Sequence, residues 1–324
     1  MGRILEIKNL STHFETEYGV IKAVDDVELF VNESDTLGIV GESGCGKTVL
    51  ALSIMRLVPS PPGRIVSGNI FFDGTDLLRL DDAAMRKVRG KDISMIFQEP
   101  MTSLNPVLRI GEQIAEAIEL HQRLDTSEAM NIAIETLRLV GMPSAETVVR
   151  NYPHQLSGGM RQRAMIAMAI SCKPRLMLAD EPTTALDVTI QAQIIDLMKS
   201  LKEDIGTSII IITHDLGVIA EAAQYVAVMY TGGIVEYSSS GNLFSSPLHP
   251  YTVGLMESIP KITASAGQNE YLKVIPGTVP PLYKLPAGCS FQDRCPHVMN
   301  ICREEKPLLK ENTPGHKVHC WLYG

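Results

Sequence analysis

The stretch Gly41-Glu42-Ser43-Gly44-Cys45-Gly46-Lys47-Thr48 decides the fold, because it fits the phosphate-binding pattern G-x-x-x-x-G-K-[ST]. The apolar run Leu37 to Val40 precedes it, and apolar residues at helical spacing follow it as far as Leu57. A strand, a glycine-rich loop and a helix in this order surround an anion with backbone N–H groups and a helix N-terminus. We predict that Lys47 contacts the β- and γ-phosphates of a bound nucleotide and that the Thr48 hydroxyl binds Mg²⁺.

Length and charge narrow the class of protein. The chain has 324 residues, 45% of them hydrophobic, which is enough for one large domain and an appendage. A net charge of -8 argues against nucleic-acid binding, which normally needs a basic face. The chain has neither an apolar run long enough for a membrane span nor the apolar core of a signal peptide at its N-terminus. We therefore expect a cytosolic protein, peripheral to a membrane at most.

Strand and helix patterns alternate along much of the chain, which favours an α/β core with a largely parallel sheet. A mostly helical region is predicted from about residue 107 to residue 169, and a helix from Val188 to Glu203. The predicted strands are Leu5–Leu10, Val27–Val31, Leu37–Val40, Ile93–Phe97, Leu176–Ala179, Ser208–Ile212 and Tyr225–Met229.

A second candidate element of the nucleotide site is the apolar strand that ends in Asp180 and Glu181. Adjacent strand residues point to opposite sides, so one carboxylate can face a metal ion while the other faces the γ-phosphate. We predict that Asp180 holds Mg²⁺ and that Glu181 polarises the attacking water.

The segment Leu156-Ser157-Gly158-Gly159-Met160-Arg161-Gln162-Arg163 resembles the signature sequence of the ABC ATPases. The resemblance implies a head-to-tail dimer in which Ser157, Gly158 and Gly159 of one subunit contact the γ-phosphate held by the other. Gln98 resembles the Q-loop glutamine that senses Mg²⁺, and His214 resembles the switch histidine near the γ-phosphate. The segment Thr184-Ala185-Leu186-Asp187 resembles the D-loop.

The family also stacks the adenine on an aromatic ring upstream of the phosphate loop. Phe14 matches that ring by its spacing to Ala23 and Val24, and Tyr18 lies close by in the sequence. Either ring is a candidate. The resemblance implies ATP and Mg²⁺ as cofactors.

Within this family, the sequence from Gln98 to Pro106 and the motif His249-Pro250-Tyr251-Thr252 resemble those of the oligopeptide and dipeptide importer ATPases. The resemblance implies an ABC ATPase core with an antiparallel β subdomain and a helical subdomain at about 100–168, together filling residues 1–247. A small cysteine-containing extension would then fill residues 248–324. It further implies a second ATPase subunit, two transmembrane permease subunits and an extracytoplasmic peptide-binding protein as partners at the cytoplasmic face of the membrane.

Other functions remain open at this point. Related ATPases serve nickel or other small solutes, and a soluble ABC ATPase of DNA repair or translation is a rival from another class. Such soluble ATPases usually carry a coiled-coil insertion, tandem cassettes or a basic surface, whereas this chain has one cassette and a negative net charge.

Four of the six cysteines, Cys289, Cys295, Cys302 and Cys320, lie in the tail. Their spacing fits neither the paired cysteines of structural zinc sites nor the ferredoxin run. Clustered thiols in a reducing compartment still suggest shared ligation, and the peptide-importer resemblance implies a [4Fe-4S] cluster in some members. Zinc, with His297, His316 or His319 as further ligands, free thiols and a redox sensor are the alternatives.

Overall fold

The structure is a computed structural model that describes residues 2–184, 186–259 and 273–324, apart from the side chain of Pro100. The described chain forms two compact units that are interleaved in sequence. The first unit contains Met1–Glu6, Phe30–Thr36 and Phe71–Ile212, and the second contains Ile7–Leu29, Leu37–Ile70 and Thr213–Gly324. The predicted boundary between residues 247 and 248 lies inside the second unit and stays a prediction.

The strands of the described chain are longer than the predicted ones at several positions. In chain order they are β1 Arg3–Thr16, β2 Gly19–Asn32, β3 Thr36–Val40, β4 Gly63–Phe72, β5 Thr75–Asp76, β6 Ile93–Ile96, β7 Leu176–Asp180, β8 Ser208–Thr213, β9 Tyr225–Tyr230, β10 Gly233–Ser239, β11 Lys310–Thr313 and β12 His316–Val318.

The α-helices of the described chain include five, α3 to α7, that fall within the predicted helical region or at its edges. In chain order the helices are α1 Lys47–Ile54, α2 Asp82–Val88, α3 Pro100–Ser103, α4 Ile110–Gln122, α5 Thr126–Leu139, α6 Ala145–Val148, α7 Gly158–Ile170, α8 Val188–Ile205, α9 Leu216–Ala222, α10 Ser240–Ser245, α11 Pro250–Glu257 and α12 Asn300–Glu304.

In the first unit, β6, β7 and β8 form parallel pairs, with Ile93 opposite Leu176 and Leu176 opposite Ser208. Strands β7 and β8 are buried along their whole length, which explains their nearly continuous apolar sequence. Because parallel strands end at the same edge of a sheet, the residues that follow β6 and β7 emerge on one side. Gln98, Asp180 and Glu181 are at or just beyond these strand ends.

In the second unit, β3 pairs with β9 in parallel, with Leu37 opposite Tyr225. Strand β10 is antiparallel to both β9 and β12, and β12 is antiparallel to β11. The predicted parallel sheet is therefore correct for β3 and β6 to β9, whereas the antiparallel strands β10, β11 and β12 were not predicted. Strand β10 carries the buried polar residues Glu236 and Ser238, which break the apolar pattern that would have marked it.

The tail, residues 248–324, contacts the rest of the second unit at more places than the pairing of β12 with β10. The rings of Tyr251 and Phe291 pack against the ring of Tyr230 in β9, with centroids 4.7 Å and 5.3 Å from it. Glu236 is fully buried in β10 and accepts hydrogen bonds from the backbone N–H groups of Leu248 and His249. The tail thus has an aromatic core of its own, formed partly by the strand on which it packs.

Candidate nucleotide site

The phosphate loop of residues 41–48 connects β3 to α1 within the second unit, as the sequence predicts. Gly46 precedes the helix with a φ of 105°, a conformation that glycine adopts without steric cost. A Cβ atom on Gly41 would lie 2.1 Å from the Met229 carbonyl oxygen, and one on Gly46 would lie 2.0 Å from the Ala23 carbonyl oxygen. Glycine is therefore required at both positions.

Lys47 is buried, although its side chain carries a charge. Its Nζ donates to the carbonyl oxygens of Gly41, at 2.7 Å, and Glu42, at 3.1 Å. These bonds compensate the loss of water around the ammonium group and hold it inside the curve of the loop. Ser43, Gly44 and Thr48 are exposed on the same loop. A buried cation beside a helix N-terminus can bind an anionic phosphate.

Cys45 belongs to the loop but is almost fully buried, and burial raises the pKa of its thiol. Its carbonyl oxygen accepts a hydrogen bond from the Gly232 N–H at 2.9 Å. The protonated thiol packs beneath the loop.

The two candidate aromatic rings differ in their surroundings. Phe14 in β1 is half-buried, and its Cε1 would lie 2.7 Å from a Cβ atom on Gly63. Tyr18 is 71% exposed in the turn between β1 and β2, with its ring centroid 5.9 Å from that of Tyr283. Both rings lie in the second unit with the phosphate loop.

In the first unit the structure brings Gln98, Glu181 and Thr184 together. The Glu181 carboxylate oxygen Oε2 accepts from Gln98 Nε2 at 3.1 Å and from the Thr184 hydroxyl at 2.7 Å. Asp180, the last residue of β7, is buried. Glu181 has a φ of 47°, an uncommon value for a residue with a side chain, and such strained residues cluster at active sites. The two carboxylates therefore have different environments.

The predicted D-loop leads into α8, where the Asp187 carboxylate accepts a hydrogen bond from the Ile190 N–H at 3.0 Å. Asp187 is thus the N-cap of this helix. Ala185 of the same motif lies outside the described residues. His214 directly follows β8 and is exposed, and the neighbouring Asp215 caps α9.

The predicted signature segment begins α7. The Ser157 hydroxyl is the N-cap and accepts from the Met160 N–H at 3.3 Å. A Cβ atom on Gly158 would meet only Leu186 at 3.8 Å, whereas one on Gly159 would lie 3.2 Å from Ile190. Ser157 is exposed, Gly158 and Gly159 are half-buried, and such a helix N-terminus is a second site that can bind an anion.

Two family models match this chain in the regions just described. The first, described as "ABC transporter", matches residues 24–184, which contain the phosphate loop, the signature segment and both carboxylates. The second, "Oligopeptide/dipeptide transporter, C-terminal region", matches residues 235–302.

Curated relatives extend the similarity to the whole chain. The probable peptide ABC transporter ATP-binding protein y4tR of Sinorhizobium fredii is 52% identical, over 98% of this chain and 94% of its own length. The oligopeptide transport ATP-binding protein AppD of Bacillus subtilis is 50% identical, over 100% of this chain and 98% of its own. The chain belongs to the ATP-binding proteins of peptide ABC transporters. The predicted ABC-type ATPase activity and the resemblance to the peptide-importer branch are confirmed.

A solved structure agrees with the fold of this ABC ATPase. The dimeric post-hydrolysis state of the ATP-binding cassette MJ0796, bound to ADP and Pi, is 27% identical with a TM-score of 0.66. The match covers 73% of this chain and 98% of that chain. Among the described residues of this ABC ATPase, no helix is both long and apolar enough to cross a membrane.

The four tail cysteines of this ABC ATPase line one small cavity, together with His297. Burial, with the neighbouring Cys302 and Cys320 thiols, raises the pKa of Cys289 to about 11. In the part of the chain that is described, no group of three or more His, Cys, Asp or Glu side chains has the geometry of a metal site. His316, a candidate ligand from the sequence, instead contacts Glu236 at 2.7 Å. The four thiols thus line one cavity, but without metal-binding geometry.

Two residues of this ABC ATPase that contact the phosphate loop were not predicted from the sequence. Arg294 forms an ion pair with the Glu42 carboxylate, and the Tyr251 hydroxyl accepts a hydrogen bond from the Glu42 N–H. Tyr251 belongs to the motif His249-Pro250-Tyr251-Thr252, which indicates the family but not a contact with the phosphate loop. Arg294 belongs to no recognised motif.

Proposed function

We propose that this chain couples ATP binding and hydrolysis to the uptake of dipeptides or oligopeptides across the cytoplasmic membrane. The main support for this proposal is that the similarity to relatives named for peptide transport extends over the whole chain, including the tail. The oligopeptide transport ATP-binding protein OppD and the dipeptide transport ATP-binding protein DppD, both of Bacillus subtilis, support the same substrate class.

The nucleotide site works with two copies of the cassette, arranged head to tail. ATP binding closes the dimer and hydrolysis reopens it. The solved MJ0796 cassette is dimeric with ADP and Pi, which supports this arrangement. The exposed N-terminus of α7, capped by Ser157, then supplies donors to the γ-phosphate held by the partner's phosphate loop.

The predicted site residues have the following roles in this scheme. Glu181 is the general base, because its carboxylate is held by two donors at the end of a buried strand. His214 contacts the γ-phosphate, and a ring at Phe14 or Tyr18 stacks on the adenine. The residues that bind ATP are Gly41, Glu42, Ser43, Gly44, Cys45, Gly46, Lys47, Thr48, Ser157, Gly158, Gly159 and Asp187, and those that bind Mg²⁺ are Thr48, Gln98 and Asp180.

The uptake function is tested by purifying the tagged chain from detergent-solubilised membranes. We expect a second ATPase subunit and two permease subunits to copurify, with an extracytoplasmic peptide-binding protein joining the complex. Uptake of labelled dipeptide and tetrapeptide by cells that lack the chain should fall to background and return with the wild-type copy. Normal peptide uptake combined with lost nickel uptake would contradict the peptide assignment.

We propose that the four tail cysteines hold a structural metal centre, a [4Fe-4S] cluster with zinc as the alternative. The convergence of four thiols on one cavity supports the donor set. Because the described thiols lack metal-binding geometry, assembly requires them to deprotonate and shift toward a common centre.

Metal and sulfide analysis of protein purified without oxygen tests this centre. We expect iron and sulfide in equal amounts with broad visible absorbance, all lost in Cys302→Ser but retained in Cys172→Ser. A colourless protein with one zinc per chain would replace the cluster by zinc. A protein with no metal at all would leave free thiols.

A further inference from the structure

Glu42 occupies a variable position of the phosphate loop, yet two residues from outside the loop hold it. Its backbone N–H donates to the Tyr251 hydroxyl at 2.8 Å. Its carboxylate accepts from both terminal nitrogens of Arg294, at 2.7 Å from Nη1 and 3.0 Å from Nη2. Both partners belong to the tail and lie in the same compact unit as the loop.

Arg294 is itself fixed in place. Its side chain is only 4% exposed, and its Nε donates to the Pro276 carbonyl oxygen at 3.1 Å. The guanidinium group also lies 5.9 Å from the Tyr230 ring centroid and 5.8 Å from that of Phe291. A planar guanidinium group with two parallel bonds to a carboxylate leaves that carboxylate little freedom.

The position of Glu42 matters to the bound nucleotide for two reasons. Its carbonyl oxygen accepts from Lys47 Nζ at 3.1 Å, so movement of Glu42 also moves a partner of the phosphate-binding lysine. Its carboxylate is a negative charge within a loop that binds anions, and an uncompensated charge there would repel phosphate. Arg294 neutralises that charge.

We infer that Arg294 and Tyr251 are positioning residues for ATP, acting through Glu42 to set the shape and charge of the phosphate loop. This inference rests on the proposed role of the loop. The tail is then part of the nucleotide site of its own subunit.

The test compares ATP affinity, KM and kcat of the purified full-length Arg294→Gln and Arg294→Lys variants with those of wild type. Arg294→Gln should raise Kd and KM for ATP roughly tenfold, since a charge-assisted bidentate pair is lost and Glu42 keeps its charge. Arg294→Lys should recover part of this loss, because lysine restores the charge but not the two parallel bonds. The matched control is Arg303→Gln, at an exposed tail arginine, which should behave as wild type.

A merely structural role would lower the unfolding temperature of Arg294→Gln and leave Kd and KM of the folded protein unchanged. That result would overturn the inference. If Arg294→Gln does not fold, Tyr251→Phe keeps the buried ring and removes only the hydroxyl that accepts from Glu42. We expect Tyr251→Phe to weaken ATP binding as well, and unchanged binding in that folded variant would equally overturn the inference.

Two further variants separate this inference from the assignment of the loop. The double variant Arg294→Gln with Glu42→Gln should bind ATP better than Arg294→Gln alone, because the uncompensated carboxylate is gone. Equal losses in both would count against charge neutralisation. Lys47→Ala should abolish ATP binding. Loss in Lys47→Ala with normal binding in Arg294→Gln would reject only the role of the tail, whereas normal binding in Lys47→Ala would reject the loop itself.

Discussion

At the scale of single residues, the two adjacent acidic side chains at the end of β7 have different surroundings and different proposed roles. Asp180 ends the strand and is buried, which suits a fixed interaction with a metal ion. Glu181 leaves the strand with a positive φ, and its carboxylate turns toward Gln98 and Thr184. The uncommon backbone conformation is local to Glu181.

Replacing Glu181 by Gln should stop hydrolysis while leaving ATP bound. The amide is close in size to the carboxylate but cannot accept a proton from water, so kcat should fall by at least about 10²-fold. ATPase assays and size-exclusion chromatography with Mg²⁺-ATP measure both effects, and the variant should elute as a closed dimer. Glu203→Gln, at an exposed position of α8, is the control. A monomeric Glu181→Gln variant with near wild-type turnover would reject Glu181 as the base.

At the scale of elements, α11 begins at a buried histidine. His249 Nδ1 accepts from the Tyr251 N–H at 3.0 Å, and the His249 N–H donates to Glu236. Burial, with a smaller effect of nearby His319, lowers the pKa of His249 to about 3. The native state therefore holds this ring neutral at the N-cap of the helix that carries Tyr251.

Acid should weaken the folded state through His249. Below its ordinary pKa of 6.5 the unfolded chain binds a proton there and the folded chain does not, so stability is lost as pH falls from 6.5 toward 3. The contribution to the slope is at most about 1.4 kcal/mol per pH unit. His249→Asn keeps a side-chain acceptor at the N-cap without a titrating ring. Urea unfolding over this pH range should therefore show a shallower fall for His249→Asn, and parallel curves would contradict the assignment.

The elements that the sequence predicted are those whose pattern is local. The phosphate loop is recognisable because its own glycines and its lysine determine its geometry, and β7 and β8 because they are buried on both faces. The pairing of β10 with β12 and the ion pair between Glu42 and Arg294 depend on partners far away in the chain. The ion pair spans 252 positions, and no residue near either end of it indicates the other. Long-range pairing of this kind has no local signal.

At the scale of the whole molecule, neither anion-binding element suffices for the proposed cycle. The phosphate loop holds a buried lysine, and α7 begins with the exposed cap Ser157 followed by the half-buried Gly158 and Gly159. In the proposed dimer each subunit gives its loop to one site and its α7 to the other. This arrangement predicts that two different inactive variants can restore activity when they form a mixed dimer.

Lys47→Ala and Gly158→Asp variants should each be inactive alone and regain part of the ATPase activity when mixed. Gly158 has space for a side chain, and an acidic residue in the first turn favours the helix while repelling the partner's γ-phosphate. A mixed dimer combines the intact loop of one chain with the intact α7 of the other. ATPase assays of the mixture and of each variant at the same total concentration make the comparison. A mixture no more active than its components would contradict the head-to-tail arrangement.

The interleaving of the two units also affects how the chain is made. Strand β3 precedes the phosphate loop and pairs with β9. The pair of Leu37 and Tyr225 can therefore form only after Tyr225 has been synthesised and has left the ribosome. The ion pair between Glu42 and Arg294 can form only later, because Arg294 is synthesised after Tyr225. Closing such long loops is slow, since their entropy is lost before the contacts form. A nascent chain therefore exposes its unpaired β3 edge during most of its synthesis, and truncation before the tail would release it with the phosphate loop unbraced.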